Sequence, residues 1–245
     1  MASDDALTVM TYNLGAGLAD PVRLVGVLRA SGADVVGLQE LAPEQAAAVD
    51  RWLAEAYPFR FLRPLGIPGK GLLSRFPLRD AALLELFPGR PDARATVEAP
   101  GGPVTVVVAH PPPPRIGRRW PENAAAAEQI GRVVAAATLG GPAVVLADLN
   151  RAPWQGACRR LAAARLVDAF GRAGRGRGAT SPTRLGVGGG WVGLPPFLRI
   201  DYVWHTPHFR ALAAWVGEDA GSDHLPVLAR LARIAAAGEA PGRLG

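Results

Sequence analysis

Four short apolar runs in this chain each close on a polar residue, and this arrangement restricts the fold more than any other feature. Leu7 to Tyr12 runs into Asn13, Asp34 to Gln39 into Glu40, Val104 to Ala109 into His110, and Ala143 to Ala147 into Asp148. Runs of this length and composition read as strands buried within a layered fold. Helical patterns fall between them at Pro21 to Ala30, with Asp20 as N-cap, at Pro43 to Ala56, at Glu122 to Ala137 and at Trp154 to Ala164. Hairpin signals interrupt the alternation. Gly71 to Ser74 and Leu78 to Leu86 flank a Pro77 turn, and Thr96 to Glu98 meets Val104 to Ala109 across Pro100-Gly101-Gly102-Pro103. Ile200 to His205, Leu212 to Val216 and Val227 to Leu231 complete the strands. Helices and hairpins mixed in this way imply an α/β fold with two packed mixed sheets and helices on the outer faces.

The 245 residues, 49% of them hydrophobic, suffice for one core, so 1–234 reads as a single domain with 235–245 as a frayed tail. No apolar run approaches the ~18 residues of a membrane span, and the start Met1-Ala2-Ser3-Asp4-Asp5 is not a signal peptide. The expectation is a soluble monomer without an evident protein partner, cytoplasmic or extracytoplasmic after loss of a leader or anchor. Cys158 is the only cysteine, which excludes an intrachain disulfide. The net charge of +6 suits a polyanion such as nucleic acid or an anionic lipid surface. Lys70 is the sole lysine, however, and a GC-rich genome would produce the same arginine excess.

Arg172 to Arg199 breaks the rhythm. Rich in glycine and arginine, with Trp191 and Pro195-Pro196, it shows no period and reads as a long loop or flap. It is either a nucleic-acid contact by charge and stacking or a surface insertion of low complexity.

The polar residues at strand ends carry the chemistry. Asp148 and Asn150 lie two residues apart, on one side of a strand terminus, where they can share a water: the carboxylate takes its proton and the carboxamide orients it. Alternatively they form a turn in which Asn150 caps the next helix. Glu40 follows a fully apolar strand and offers the hard oxygen that Mg²⁺ prefers, or else it initiates a helix. Asn13 is a ligand or a turn former. His110 and His224 can hydrogen-bond or protonate a phosphate oxygen, or serve as satisfied structural histidines. His205 and His208 read as surface residues. Asp201, an acid in an apolar strand, needs a partner, and His224 is the one expected.

Taken in order, Thr11-Tyr12-Asn13, Gly37-Leu38-Gln39-Glu40, Gly71-Leu72-Leu73-Ser74-Arg75-Phe76-Pro77-Leu78, the strand ending in His110, Asp148-Leu149-Asn150, Arg199-Ile200-Asp201-Tyr202-Val203 and Ser222-Asp223-His224 span nearly the whole chain. Together they resemble the endonuclease/exonuclease/phosphatase superfamily. The resemblance implies a four-layer αββα sandwich with the site at one edge of the two sheets. It further implies Mg²⁺ or Mn²⁺ on Glu40, helped by Asn13 and Asp223, with Asp148 activating water and Asn150 holding water and phosphate. His224, oriented by Asp201, would contact the phosphate, and His110 would sit across the site as phosphate ligand or proton donor. The implied reaction is in-line hydrolysis of a P–O bond without a covalent enzyme intermediate.

Departures from the family pattern bear on substrate. Pro111 to Pro114 is followed by Arg115, Arg118 and Arg119, a stiff stretch delivering cations for a second phosphate. The acid that supports the equivalent of His110 in deoxyribonuclease-type members is not identifiable, Ser181 stands where bacterial relatives often carry an aromatic, and no insertion suits wedging into a duplex. DNA or RNA is the substrate of first choice. The alternatives are a lipid-linked or other small phosphate, including a membrane-lipid phosphate, and a non-catalytic binding module on the same fold.

Overall fold

The computed structural model describes residues 6–113, 121–187 and 190–234. In chain order the elements are β1 (Ala6–Asn13), α1 (Pro21–Ala30), β2 (Val35–Gln39), α2 (Pro43–Trp52), β3 (Phe59–Arg63), β4 (Lys70–Ser74) and β5 (Leu78–Leu84). They continue with β6 (Asp92–Ala99), β7 (Gly102–Ala109), α3 (Pro121–Thr138), β8 (Ala143–Asp148), α4 (Gly156–Ala163), β9 (Val167–Asp168) and α5 (Ala169–Ala173). The last are β10 (Arg184–Val187), β11 (Gly190–Gly193), β12 (Asp201–His205), β13 (Phe209–Val216) and β14 (Val227–Arg233).

Two six-stranded sheets result, ordered β13-β14-β1-β2-β4-β3 and β5-β6-β7-β8-β12-β9. Each is mixed: β1 runs parallel to β2 and β7 parallel to β8, while the remaining pairs are antiparallel. Alternation along the strands explains the layers. Leu7, Val9, Val35 and Leu72 face Val106, Val108, Val144, Leu146 and Val203 to form the core between the sheets. Met10, Tyr12, Val36 and Leu38 point the other way, against Leu24 and Leu28 of α1 and Val49 of α2. Val107, Val145 and Tyr202 likewise meet Ile130 and Val133 of α3 and Leu161 of α4. The outcome is the αββα sandwich.

The sheets pack tightly at Gly37, where an added Cβ would lie 2.8 Å from Leu146 Cβ and 3.0 Å from Val108 Cγ2. Above that point Gln39, fully buried, donates from Nε2 to Thr11 Oγ1 (3.0 Å) and across the gap to the Leu146 carbonyl (3.1 Å).

Several expectations change. α2 stops at Trp52 rather than reaching Ala56, and Phe59–Arg63 is a strand that the sequence did not announce. β6 begins four residues before Thr96, at Asp92. The segment expected as a long loop or flap without a period contains the hairpin β10–β11, paired in register from Arg184↔Gly193 to Val187↔Gly190. His205 is buried rather than a surface residue, its Nδ1 on the Thr206 carbonyl at 2.9 Å and its ring edge-on to Phe209. The tail 235–245 lies outside the described residues.

Candidate active site

The polar ends of β1, β2, β7 and β8 meet at one edge of the two sheets. β12 runs antiparallel to β8 with Asp201 opposite Asp148, so its first residue arrives at the same edge. The loop between β13 and β14 supplies Asp223 and His224.

Asp148 stands at the centre and is almost wholly buried. Its Oδ2 accepts from Asn13 Nδ2 at 2.9 Å and lies 3.5 Å from His110 Nε2 and 3.9 Å from His224 Nε2. Its Oδ1 accepts the Asn150 N–H at 2.8 Å. Burial and then the neighbouring Asp201 push its carboxyl up to about 7, against the opposing effects of His224, Asn13 and the Asn150 N–H. A carboxyl with such a value can take a proton from water near neutral pH.

The two histidines differ in charge. His224 Nδ1 faces Asp201 Oδ2 at 2.9 Å; burial works against charge on the ring, but Asp201 and Asp148 outweigh it and raise His224 to about 10. His110 is held well below the ordinary value by burial and by the cations of Lys70, Arg90 and His224, so its imidazole is neutral. One ring is therefore a cation and the other a neutral group, set apart by environment alone.

Asn150 adopts a left-handed φ of 52°, and its Nδ2 donates to the Pro111 carbonyl at 3.1 Å. It caps no helix, because α4 starts at Gly156 behind Gln155. Glu40 initiates no helix either, since α2 begins at Pro43. It too sits at a left-handed φ, 53°, with its Oε1 3.6 Å from His110 Nε2. Burial raises its carboxyl, Asp223 raises it further, and a hydrogen bond from Asn13 opposes both. Gly15, at φ 64°, leaves room beside this pair: a Cβ there would lie 2.8 Å from Asp223 Oδ1. Two partly exposed carboxylates in mutual repulsion, with a glycine cradle alongside, fit a hard divalent cation. Asn13 turns its amide nitrogen to Asp148 and its oxygen to the Gly15 N–H at 2.9 Å. Asp148, Asp201 and His224 also place one donor atom each within 4.8 Å of one another, a set of the right type for a metal. Their mutual hydrogen bond occupies His224 Nδ1, however, which leaves Glu40 and Asp223 as the more open seat.

Sequence reasoning missed a second layer. Asp92, the first residue of β6 and fully buried, accepts the His110 N–H on Oδ1 at 2.9 Å and Gln129 Nε2 on Oδ2 at 2.8 Å. This is an acid beneath His110, and it holds the backbone of the histidine rather than its ring. Burial raises it to about 6 despite the cation of Lys70. Lys70 is itself fully buried, donates to the Pro68 carbonyl at 3.0 Å, and is lowered to about 8 by burial against the attraction of Asp92, Glu40 and Asp148. The clue was present: the chain's one lysine stands at the start of an otherwise apolar strand. Arg115, Arg118 and Arg119 lie outside the described residues.

The description "Endonuclease/Exonuclease/phosphatase family" matches residues 10–224. Among solved structures, the chain is similar to an endonuclease/exonuclease/phosphatase from Beutenbergia cavernae, with 24% identity over 94% of this chain and 72% of that one and a TM-score of 0.73. A protein of the same description from Bacteroides vulgatus shares 18% identity over 94% and 99% of the two chains, TM-score 0.74. The D. rerio TDP2 complexed with single strand DNA product shares 17% over 93% and 99%, TM-score 0.70. None of the curated proteins compared with the chain matches it.

Proposed function

The chain belongs to the Endonuclease/Exonuclease/phosphatase family, metal-dependent hydrolases of phosphate esters, and from that premise we propose in-line hydrolysis of a phosphodiester or phosphomonoester by an activated water, with nucleic acid as first substrate. The observation that carries this reading is Asp148, buried between a neutral and a cationic histidine with one oxygen already bonded to Asn13. Asp148 takes the proton of the attacking water. Asn150, fixed on Pro111, orients that water and the scissile phosphate. His224, kept charged and aligned by Asp201, stabilises negative charge on the phosphate oxygens. His110, neutral and across the site, contacts the phosphate as a hydrogen-bonding ligand; its depressed basicity argues against the proton-donor role toward the leaving oxygen. Glu40 and Asp223, with Asn13 between Glu40 and Asp148, would hold Mg²⁺ or Mn²⁺, which supplies Lewis acidity toward the phosphate when bound. Arg115, Arg118 and Arg119 are the proposed grip on a flanking phosphate.

Support for nucleic acid comes from the net positive charge and from the TDP2 relative crystallised with a single-strand DNA product. A lipid-linked phosphate is the second reading, favoured by the exposed apolar hairpin next to the site. A screen of plasmid DNA, single-stranded DNA, RNA, inositol phosphates and prenyl phosphates with Mg²⁺ and Mn²⁺ distinguishes them; DNA cleavage should collapse with added salt. Absence of hydrolysis of every substrate, bis-p-nitrophenyl phosphate included, or full activity in Asp148→Ala, would overturn the proposal.

A further inference from the structure

The hairpin β10–β11 forms a two-stranded sheet of its own, joined to neither large sheet. Its register places Leu185 opposite Val192 and Gly186 opposite Trp191. Leu185, Val187 and Val192 therefore share one face, while Trp191 occupies the other with Arg184. All four apolar side chains are exposed by 50–60%, and Phe197, just beyond the hairpin, by 65%. Apolar groups concentrated on one projection are unusual on a protein surface and mark a docking site.

The nature of the partner follows from the two faces. Exposed apolar side chains on both faces suit an interface that surrounds the hairpin, as a lipid surface does. Charge agrees: between residues 171 and 198 there are arginines at 172, 175, 177 and 184 and not one Asp or Glu, whereas Arg199 is spent on Asp168 at 2.7 Å. Arg172, Arg175 and Arg177 are exposed. The unpaired strand edges exclude deep burial in hydrocarbon, which leaves the headgroup level, where tryptophan is favoured. No helix among the described residues is long and apolar enough to cross a membrane.

We propose that β10–β11 is a docking element for an anionic membrane surface. Its root is tied to the candidate site: the Thr183 N–H donates to the Asp223 carbonyl at 2.9 Å and Thr183 Oγ1 to the Ser222 carbonyl at 2.6 Å. A docked hairpin thus brings the catalytic edge to the headgroups. The inference concerns binding alone and stands apart from the choice of substrate.

Flotation of the full chain with vesicles of phosphatidylcholine and phosphatidylglycerol tests it. The protein should float with the mixed vesicles and much less with phosphatidylcholine alone. The double variant Leu185→Ser/Trp191→Ser should lose partitioning by roughly tenfold or more, with unchanged circular dichroism and unchanged turnover of bis-p-nitrophenyl phosphate. Failure to float, or equal flotation of the variant, overturns the proposal. So does a variant that keeps vesicle binding but loses single-stranded DNA binding or dissociates a dimer, since the hairpin would then serve nucleic acid or a second copy.

Discussion

The two sheets repeat a theme, each built around one parallel pair, yet they deliver unlike groups to the shared edge. The first, with the loop before β14, contributes the partly exposed carboxylates Glu40 and Asp223 beside the buried Asn13 and His224. The second contributes Asp148, Asp201 and His110, all nearly inaccessible. Exposure suits a ligand that exchanges with solvent, because the cation must enter and its water must leave. Burial suits groups whose task is to hold or move a proton, because low dielectric shifts their affinity for it. On the proposed reading, the same strand geometry yields a cation side and a proton side, separated by how far each group lies from water.

This division breaks most visibly at Asp148. Asp148→Asn should lower kcat by about 10³ or more while the metal concentration for half-maximal rate stays nearly constant, measured with bis-p-nitrophenyl phosphate. An equal loss in metal affinity would show that the two sides are not separate. His224→Gln should cost about 10² in kcat and also change the pH profile. Activity should fall as pH drops through about 7, because Asp148 gains a proton and no longer accepts one. The His224 cation stabilises the Asp148 carboxylate, so its removal should move that acid limb to higher pH; a bound divalent cation moves it lower. An unmoved limb would remove Asp148 as the titrating group.

Glu40→Gln sharpens the comparison from the other sheet. The metal requirement should rise by about 10- to 100-fold with kcat at saturating metal only slightly reduced, read by titration with Mn²⁺. The smallest effect is expected at Asp92→Asn, which keeps the shape of the acceptor but weakens its grip on the His110 N–H. A decrease in kcat of about tenfold or less, with KM unchanged, fits a positioning residue that never touches substrate. A loss as large as that of Asp148→Asn would move Asp92 into direct chemistry.

Much of this was legible in the chain. Leu7–Tyr12 and Ala143–Ala147 were readable as strands from their apolar composition, and the pairing of Asp201 with His224 followed from an acid placed in an apolar strand. The failures have physical causes. Phe59–Arg63 interleaves arginines with aromatics at a sheet edge, so neither face reads as buried. The hairpin 184–193 escaped notice because four of its described positions are glycine or arginine, which dilutes any period of two. Asp92 was hidden because its partners, the His110 N–H just past β7 and Gln129 of α3, are long-range contacts that no local pattern encodes.

Gln39 has a further consequence. Its single amide joins Thr11 of one sheet to the Leu146 carbonyl of the other, one residue below Glu40 and two below Asp148. The bond acts as a caliper, fixing the jaw width between cation side and proton side independently of the surrounding loops. A change that widens the jaw should silence turnover in a protein that still melts at nearly its normal temperature.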